Sequence, residues 1–184
     1  MKIGLFGGVF NPPHIGHLII AQQILDFTDV EEVWFLPNFG QSFPKETIPV
    51  EHRVVMTRML QMPRTKTSTI EIDNRLDGKT IHLIPYLPKE HAFSFIIGAD
   101  QLPVFHQWED WEMLLQHMPF LVFPRYGYPT EPLYENMKLV CHQQLMATDI
   151  SSTKIRARIK QGLPIDRFVP ARVDQYIKDH GLYV

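Results

Sequence analysis

His14 and His17 stand three residues apart with Gly16 between them, after the run Gly7-Gly8-Val9-Phe10-Asn11-Pro12-Pro13 and at the head of a stretch with helical periodicity. A spacing of three puts both imidazoles on one face of a helix's first turn. There the unpaired amide N–H groups and the positive end of the helix dipole favour an anion. Imidazole N–H groups beside them can donate to phosphate oxygens, and Gly16 leaves room between the rings. Gly7 and Gly8 let the backbone turn sharply and approach a ligand, while Asn11-Pro12-Pro13 favours an extended, rigid path with few competing donors. The bland alternative is a plain strand-to-helix turn with two solvated histidines, but the eleven residues together point to a nucleotide's phosphates. Two histidines do not make a zinc site without further ligands at compatible spacing, and the chain offers none. Neither G-x-G-x-x-G nor a P-loop is present.

A second string, Asp149-Ile150-Ser151-Ser152-Thr153-Lys154-Ile155-Arg156-Ala157-Arg158, sets hydroxyls at a helix start and guanidinium groups within its first two turns. Such hydroxyls cap free N–H groups; they can equally clasp a polyphosphate, with Arg156 adding a charge-assisted fork. Both readings stand for this string alone. With the first string it makes the second jaw of a triphosphate clamp.

These strings need elements to position them. The apolar run at residues 3–6 and the periodic stretch at 15–27 predict a strand followed by a helix. Alternation continues with a strand at 32–36, a helix at 51–61, strands at 69–72 and 93–97, a helix at 111–117, strands at 120–123 and 139–141, and helices at 152–161 and 171–180. Residues 79–87 are ordered but ambiguous, because Pro85 and Pro88 would cut short a helix begun at Thr80. The polar segment 38–49, holding Gly40, Pro44 and Pro49, is the best candidate for a mobile loop. The expected fold is α/β, a doubly wound parallel sheet with a small helical C-terminal portion. Ligands of such sheets sit outside the carboxyl ends of the strands, where 7–17, 98–100 and 149–156 are expected to emerge.

Composition narrows the class further. The 184 residues are enough for one domain with a full core, and too few for two comfortable ones. A net charge of -2 supplies no global basic field for nucleic acid, so an anionic ligand must be held locally. The lone cysteine, Cys141, excludes an internal disulfide, and no apolar stretch approaches membrane-spanning length. A soluble, unexported, cytoplasmic protein is expected, with no nucleic-acid or membrane partner; its aromatic content leaves self-association open.

The two strings together resemble the signatures H-x-G-H and I-S-S-T-x-I-R of a nucleotidyltransferase superfamily with a Rossmann-like fold. Within it the chain looks most like the bacterial nicotinate-nucleotide adenylyltransferases. The likeness extends to Glu31-Glu32-Val33-Trp34-Phe35-Leu36-Pro37-Asn38, Glu51-His52-Arg53, Phe95-Ile96-Ile97-Gly98-Ala99-Asp100, Trp108, Pro124-Arg125 and His180-Gly181-Leu182-Tyr183. It implies direct transfer of AMP from ATP to nicotinate mononucleotide, with Mg²⁺ accompanying the phosphates and no metal held by the protein alone. His14, His17, Lys45 and Arg156 would carry the chemistry. Gly7, Gly8, Phe10, Gly98, Asp100, Ile150, Ser151, Ser152 and Thr153 would hold ATP, and Asn11, Thr80, Trp108 and Arg125 the acceptor. Two departures fall on the acceptor side: Ser42-Phe43-Pro44-Lys45 replaces the family's Pro-His-Lys, and Lys79-Thr80 replaces its Tyr-Thr pair. The competing readings are a sister enzyme acting on nicotinamide mononucleotide or phosphopantetheine, and a nucleotide-binding regulator without turnover.

Overall fold

A computed structural model describes residues 1–40 and 47–184. Its centre is a six-stranded sheet made of β1 (Lys2–Gly8), β2 (Glu32–Pro37), β3 (Thr65–Thr67), β4 (Ala92–Gly98), β5 (Phe120–Phe123) and β6 (Met137–Leu139). All neighbours pair in parallel, in the order β3-β2-β1-β4-β5-β6. The chain winds outward from β1 in one direction, then returns to β1's other side and winds the opposite way. The order therefore reverses between β1 and β4, and at such a switch point a crevice opens beyond the strand ends.

Strand sequences explain the two layers. Phe95 and Ile97 of β4 face one cluster, with Leu5, Leu36, Phe120 and Val122. Ile96 faces the other, with Val33, Phe35, Leu121 and Phe123. Both faces are apolar because both are covered. The helix α1 (Ile15–Phe27) supplies Ala21, Ile24 and Leu25 to the second cluster, while α5 (Trp111–His117) and the 3₁₀ segment Ala99–Gln107 supply Leu114, Leu102 and Phe105 to the first. A third cluster joins Met56 of α2 (Val50–Arg58) to Ile155 of α6 (Ser152–Lys160) and to Val173 and Ile177 of α7 (Ala171–Asp179). Among the described residues no helix is long and apolar enough to cross a membrane.

Three expectations need correction. Residues 69–72 are not a strand: Ile70–Asp73 is one helical turn, α3, with the Thr69 hydroxyl donating to Asp73 four residues on, at 2.8 Å. The strand is the unremarkably polar Thr65–Thr67 just before it, at the sheet's edge. The alternation Thr-Ile-Glu-Ile misled because so short a pattern fits either structure. The last strand lies two residues earlier than expected, since Phe120 pairs with Met137 and the amide of Asn136 anchors to the Leu115 carbonyl at 2.6 Å. Finally, 149–156 does not leave a strand end; β6 stops at Leu139 and a loop carries the chain back to the crevice. The ambiguous segment resolves into α4 (Thr80–Leu83) and a 3₁₀ turn, Ile84–Tyr86, ending before Pro88.

Candidate active site

The crevice at the switch point is a cleft of about 570 Å³. Its floor is the end of β1, Gly7 and Gly8, and the end of β4, Ile97 and Gly98. Glycine is needed at two of these places for space: a Cβ at Gly7 would lie 2.7 Å from the Phe95 ring, and one at Gly98 would overlap the Asp100 carboxylate.

At the start of α1, His14 is the N-cap and His17 the third helical residue. Their rings lie against each other, 3.7 Å between centroids and tilted by 33°. The backbone N–H of His14 donates to Nδ1 of His17 at 3.0 Å, so the His17 ring proton resides on Nε2, which is left to donate. Gly16 leaves room for this contact, because a Cβ there would sit 2.9 Å from His14 Nδ1. That Nδ1 is buried and has no hydrogen-bond partner among the described residues. Burial, aided by the nearby Arg125 charge, lowers the His14 pKa to about 3. Burial, followed by His14 itself, holds His17 well below the ordinary histidine range. Both rings are thus neutral near pH 7, so a hydrogen bond that either donates comes from an imidazole rather than an imidazolium ion.

Several expected residues take supporting places. Phe10 is 2% exposed and its ring packs 4.8 Å from that of His17, so its side chain seats the histidine instead of lining the cleft. Asn11 is likewise buried; its side-chain oxygen accepts from the Tyr183 hydroxyl at 2.9 Å. Ser151 caps α6 by accepting from the Lys154 amide at 3.3 Å. Ser152 donates to the Pro12 carbonyl at 2.8 Å and Arg156 to the Asn11 carbonyl at 2.7 Å. The second string therefore braces the first directly. Arg156 also approaches the Thr153 hydroxyl at 3.5 Å, and Ile150 reaches the cleft wall. Lys45 lies outside the described residues.

The remaining wall comes from elsewhere. Asp100 and Arg125 pair at 3.0 Å, and both line the cleft. Thr80 begins α4 and is buried; Trp108 follows the 3₁₀ segment, packing at 5.2 Å against Phe105 while presenting surface to the cleft. Although its sequence neighbours are polar, Trp108 also packs edge-on against Phe95 and Phe120. Lys79 is pinned by Glu109 at 2.6 Å and Asp77 at 3.5 Å, and His82 bridges the same two carboxylates at 3.0 and 3.2 Å. Sequence reasoning passed over Glu71, which is 4% exposed and lines the cleft, and also Thr148 and Gln101. The available signal for Glu71 was an acid alternating with two isoleucines.

The cytidylyltransferase-like family model matches residues 5–158. A protein of Bacillus pumilus named as a probable nicotinate-nucleotide adenylyltransferase is 35% identical, over 99% of this chain and 98% of its own length. One of the same name from Lactiplantibacillus plantarum is 36% identical, over 99% and 88%. Among solved structures, the Plasmodium falciparum nicotinic acid mononucleotide adenylyltransferase complexed with NaAD superposes with a TM-score of 0.80 at 18% identity, covering 99% of this chain and 97% of that one. The matched segment begins in β1 and ends within α6, so it takes in the paired histidines, the switch point and the bracing string together, and the chain belongs to the cytidylyltransferase-like family.

Proposed function

We propose that the protein transfers the adenylyl group of ATP to nicotinate mononucleotide, giving the deamido dinucleotide of NAD synthesis and pyrophosphate. The observation that carries this reading is that two neutral histidines in ring contact at a helix start line the same cleft as Thr80 and Trp108. The acceptor's phosphate is largely ionised near neutral pH, so no protein base is needed to create the nucleophile. One of its oxygens bonds to the α-phosphorus of ATP in line, the bond to the β-bridging oxygen breaks, and pyrophosphate leaves with that electron pair. His17 Nε2–H and the α1 amides meet the charge gathering on the transferring group; His14, walled in by Gly16, keeps His17 in place. Thr153, Arg156 and the α6 start hold the β and γ phosphates beside the first string, with Ser151 and Ser152 fixing that helix. Asp100 and Gly98 receive the adenosine, Arg125 the acceptor's phosphate, and Trp108 stacks on the electron-poor pyridine ring beside Thr80.

Among the described residues no three His, Cys, Asp or Glu side chains converge on a point that would hold a metal. Mg²⁺ entering with the ATP phosphates would supply charge neutralisation on the leaving pyrophosphate.

The test is pyrophosphate release from purified protein with Mg-ATP and, in turn, nicotinate mononucleotide, nicotinamide mononucleotide and phosphopantetheine. Fastest release with nicotinate mononucleotide supports the reading. Equal or faster release with another acceptor makes the protein a sister enzyme, and no release with any makes it a nucleotide-binding regulator.

A further inference from the structure

Glu71 has no part in the mechanism above, yet it is among the most buried acids of the molecule and lies in the wall of the reacting cleft. It sits on α3, the turn mistaken for a strand, and shares that wall with Thr80 at the start of α4. Its carboxyl receives a hydrogen bond from the Phe39 backbone amide. Its other oxygen, Oε2, is buried without a partner among the described residues. A buried acceptor left unmade is costly, and a ligand that supplies a donor removes that cost. Of the described cations nearby, Arg53 donates from Nη1 to the Val9 carbonyl at 2.9 Å and acts on Glu71 through its charge, its Nε being without a partner among the described residues, and Lys79 is held by Glu109 and Asp77.

The ligand's own order of parts selects the donor. With the acceptor's ring against Trp108 and Thr80 and its phosphate toward the histidines, the part left between them is the ribose, whose neighbouring hydroxyls are both donors. We propose that Glu71 binds the ribose hydroxyls of the acceptor through Oε2, and that it thereby selects a ribonucleotide acceptor. This rests on the function proposed above and adds a specificity residue that neither signature string contains.

Burial raises the Glu71 pKa to about 7, with Asp77 pushing the same way and the Phe39 amide and Arg53 opposing it. The other charged groups on the cleft wall near this end, Lys79 and Glu109, are paired with each other. Hydroxyl donors favour the ionised carboxyl. Acceptor binding therefore draws a proton off Glu71, and affinity strengthens as pH rises through 7.

The experiment is calorimetric titration of the full chain with nicotinate mononucleotide and its 2′-deoxy and 3′-deoxy forms, using wild type, Glu71→Gln and Glu71→Leu, with ATP titrated alongside. In wild type, removal of a bound hydroxyl should weaken binding roughly 10-fold or more. Glu71→Leu should bind all three forms equally weakly while keeping wild-type ATP affinity, and Glu71→Gln should fall between and lose the pH dependence particular to the carboxyl. A Glu71→Leu protein that discriminates ribose from deoxyribose as wild type does overturns the proposal. So does a loss of ATP affinity in both variants matching their loss of acceptor affinity, which places Glu71 in the scaffold. Wild type that binds ATP but no nicotinate mononucleotide overturns the function reading itself.

Discussion

The two ends of the cleft are built on different plans. At the histidine end, one continuous string leaves the central strand, enters a long helix, and is braced from behind by α6 and by Tyr183. Its two histidines are buried and neutral, and its geometry is set by close ring and backbone contacts. At the Trp108 end, the wall is assembled from one-turn helices and a 3₁₀ segment; Glu71 is buried there, while Asp77, Lys79, His82 and Glu109 are exposed and paired with one another. A fixed end suits chemistry common to a whole family, because phosphate and its transition state do not vary. An assembled end suits a choice among acceptors, because short elements can change residue by residue without disturbing the core.

This contrast can be broken in graded ways. The largest effect is expected for His17→Ala, which removes the Nε2 donor at the transferring group. Turnover should fall roughly 10²–10³-fold, with acceptor KM little changed and the fold intact by circular dichroism; near-normal turnover would remove His17 from the chemistry. Gly16→Ala should come next. Its Cβ would press on His14, whose ring already lies against that of His17, so turnover should fall on the order of 10-fold through misplacement alone. A rise in acceptor KM without loss of turnover would show that the histidine end is not fixed in the way described.

Trp108→Ala should instead raise the acceptor KM about 10-fold with ATP affinity unchanged, the pattern of lost ground-state binding. It should also lower the melting temperature, since the ring packs on Phe105 and Phe95. Equal losses for ATP and acceptor would erase the distinction between the ends.

The smallest effect is on stability, and there the two ends have opposite signs. His14 has a folded pKa of about 3 against an ordinary 6.5, so its neutral, buried state is supported above pH 6.5 and stability falls as pH drops from there toward 3. Glu71 has a folded pKa of about 7 against an ordinary 4.5, so the folded state holds the proton more tightly. The stability this gives is present below pH 4.5 and is lost as pH rises through 7. Melting curves should show His14→Gln flattening the acid limb and Glu71→Gln raising stability above pH 7, each by on the order of 1–3 kcal/mol. Identical pH profiles for both variants and wild type would contradict the burial of these groups.

The same contrast explains what was legible in the sequence. The histidine end could be read because its chemistry, turn residues and helix start occupy consecutive positions, and because long apolar runs such as Phe95-Ile96-Ile97 fit a sheet covered on both faces. Even there, the hydroxyls of Ser151 and Ser152 proved to serve as a cap and a brace, an ambiguity that spacing alone could not resolve. The other end resisted reading because four-residue elements carry too little periodicity. The polar Thr65–Thr67 gave no strand signal at all, and Ala99–Gln107, with Pro103 inside it, gave no helix signal. Glu71 was hidden for the same reason: its burial depends on Phe39 and on the neighbouring short turns, none of which its own sequence neighbourhood reveals.

The most direct measurement is a crystal structure of the protein with the product dinucleotide bound, since that molecule spans both ends at once. The account predicts its nicotinate ring on Trp108 beside Thr80, the acceptor ribose on Glu71, and the phosphate derived from ATP within hydrogen-bond reach of His17 Nε2. A dinucleotide bound in the reverse sense, with adenine on Trp108, or with its phosphates away from the two histidines, would contradict it.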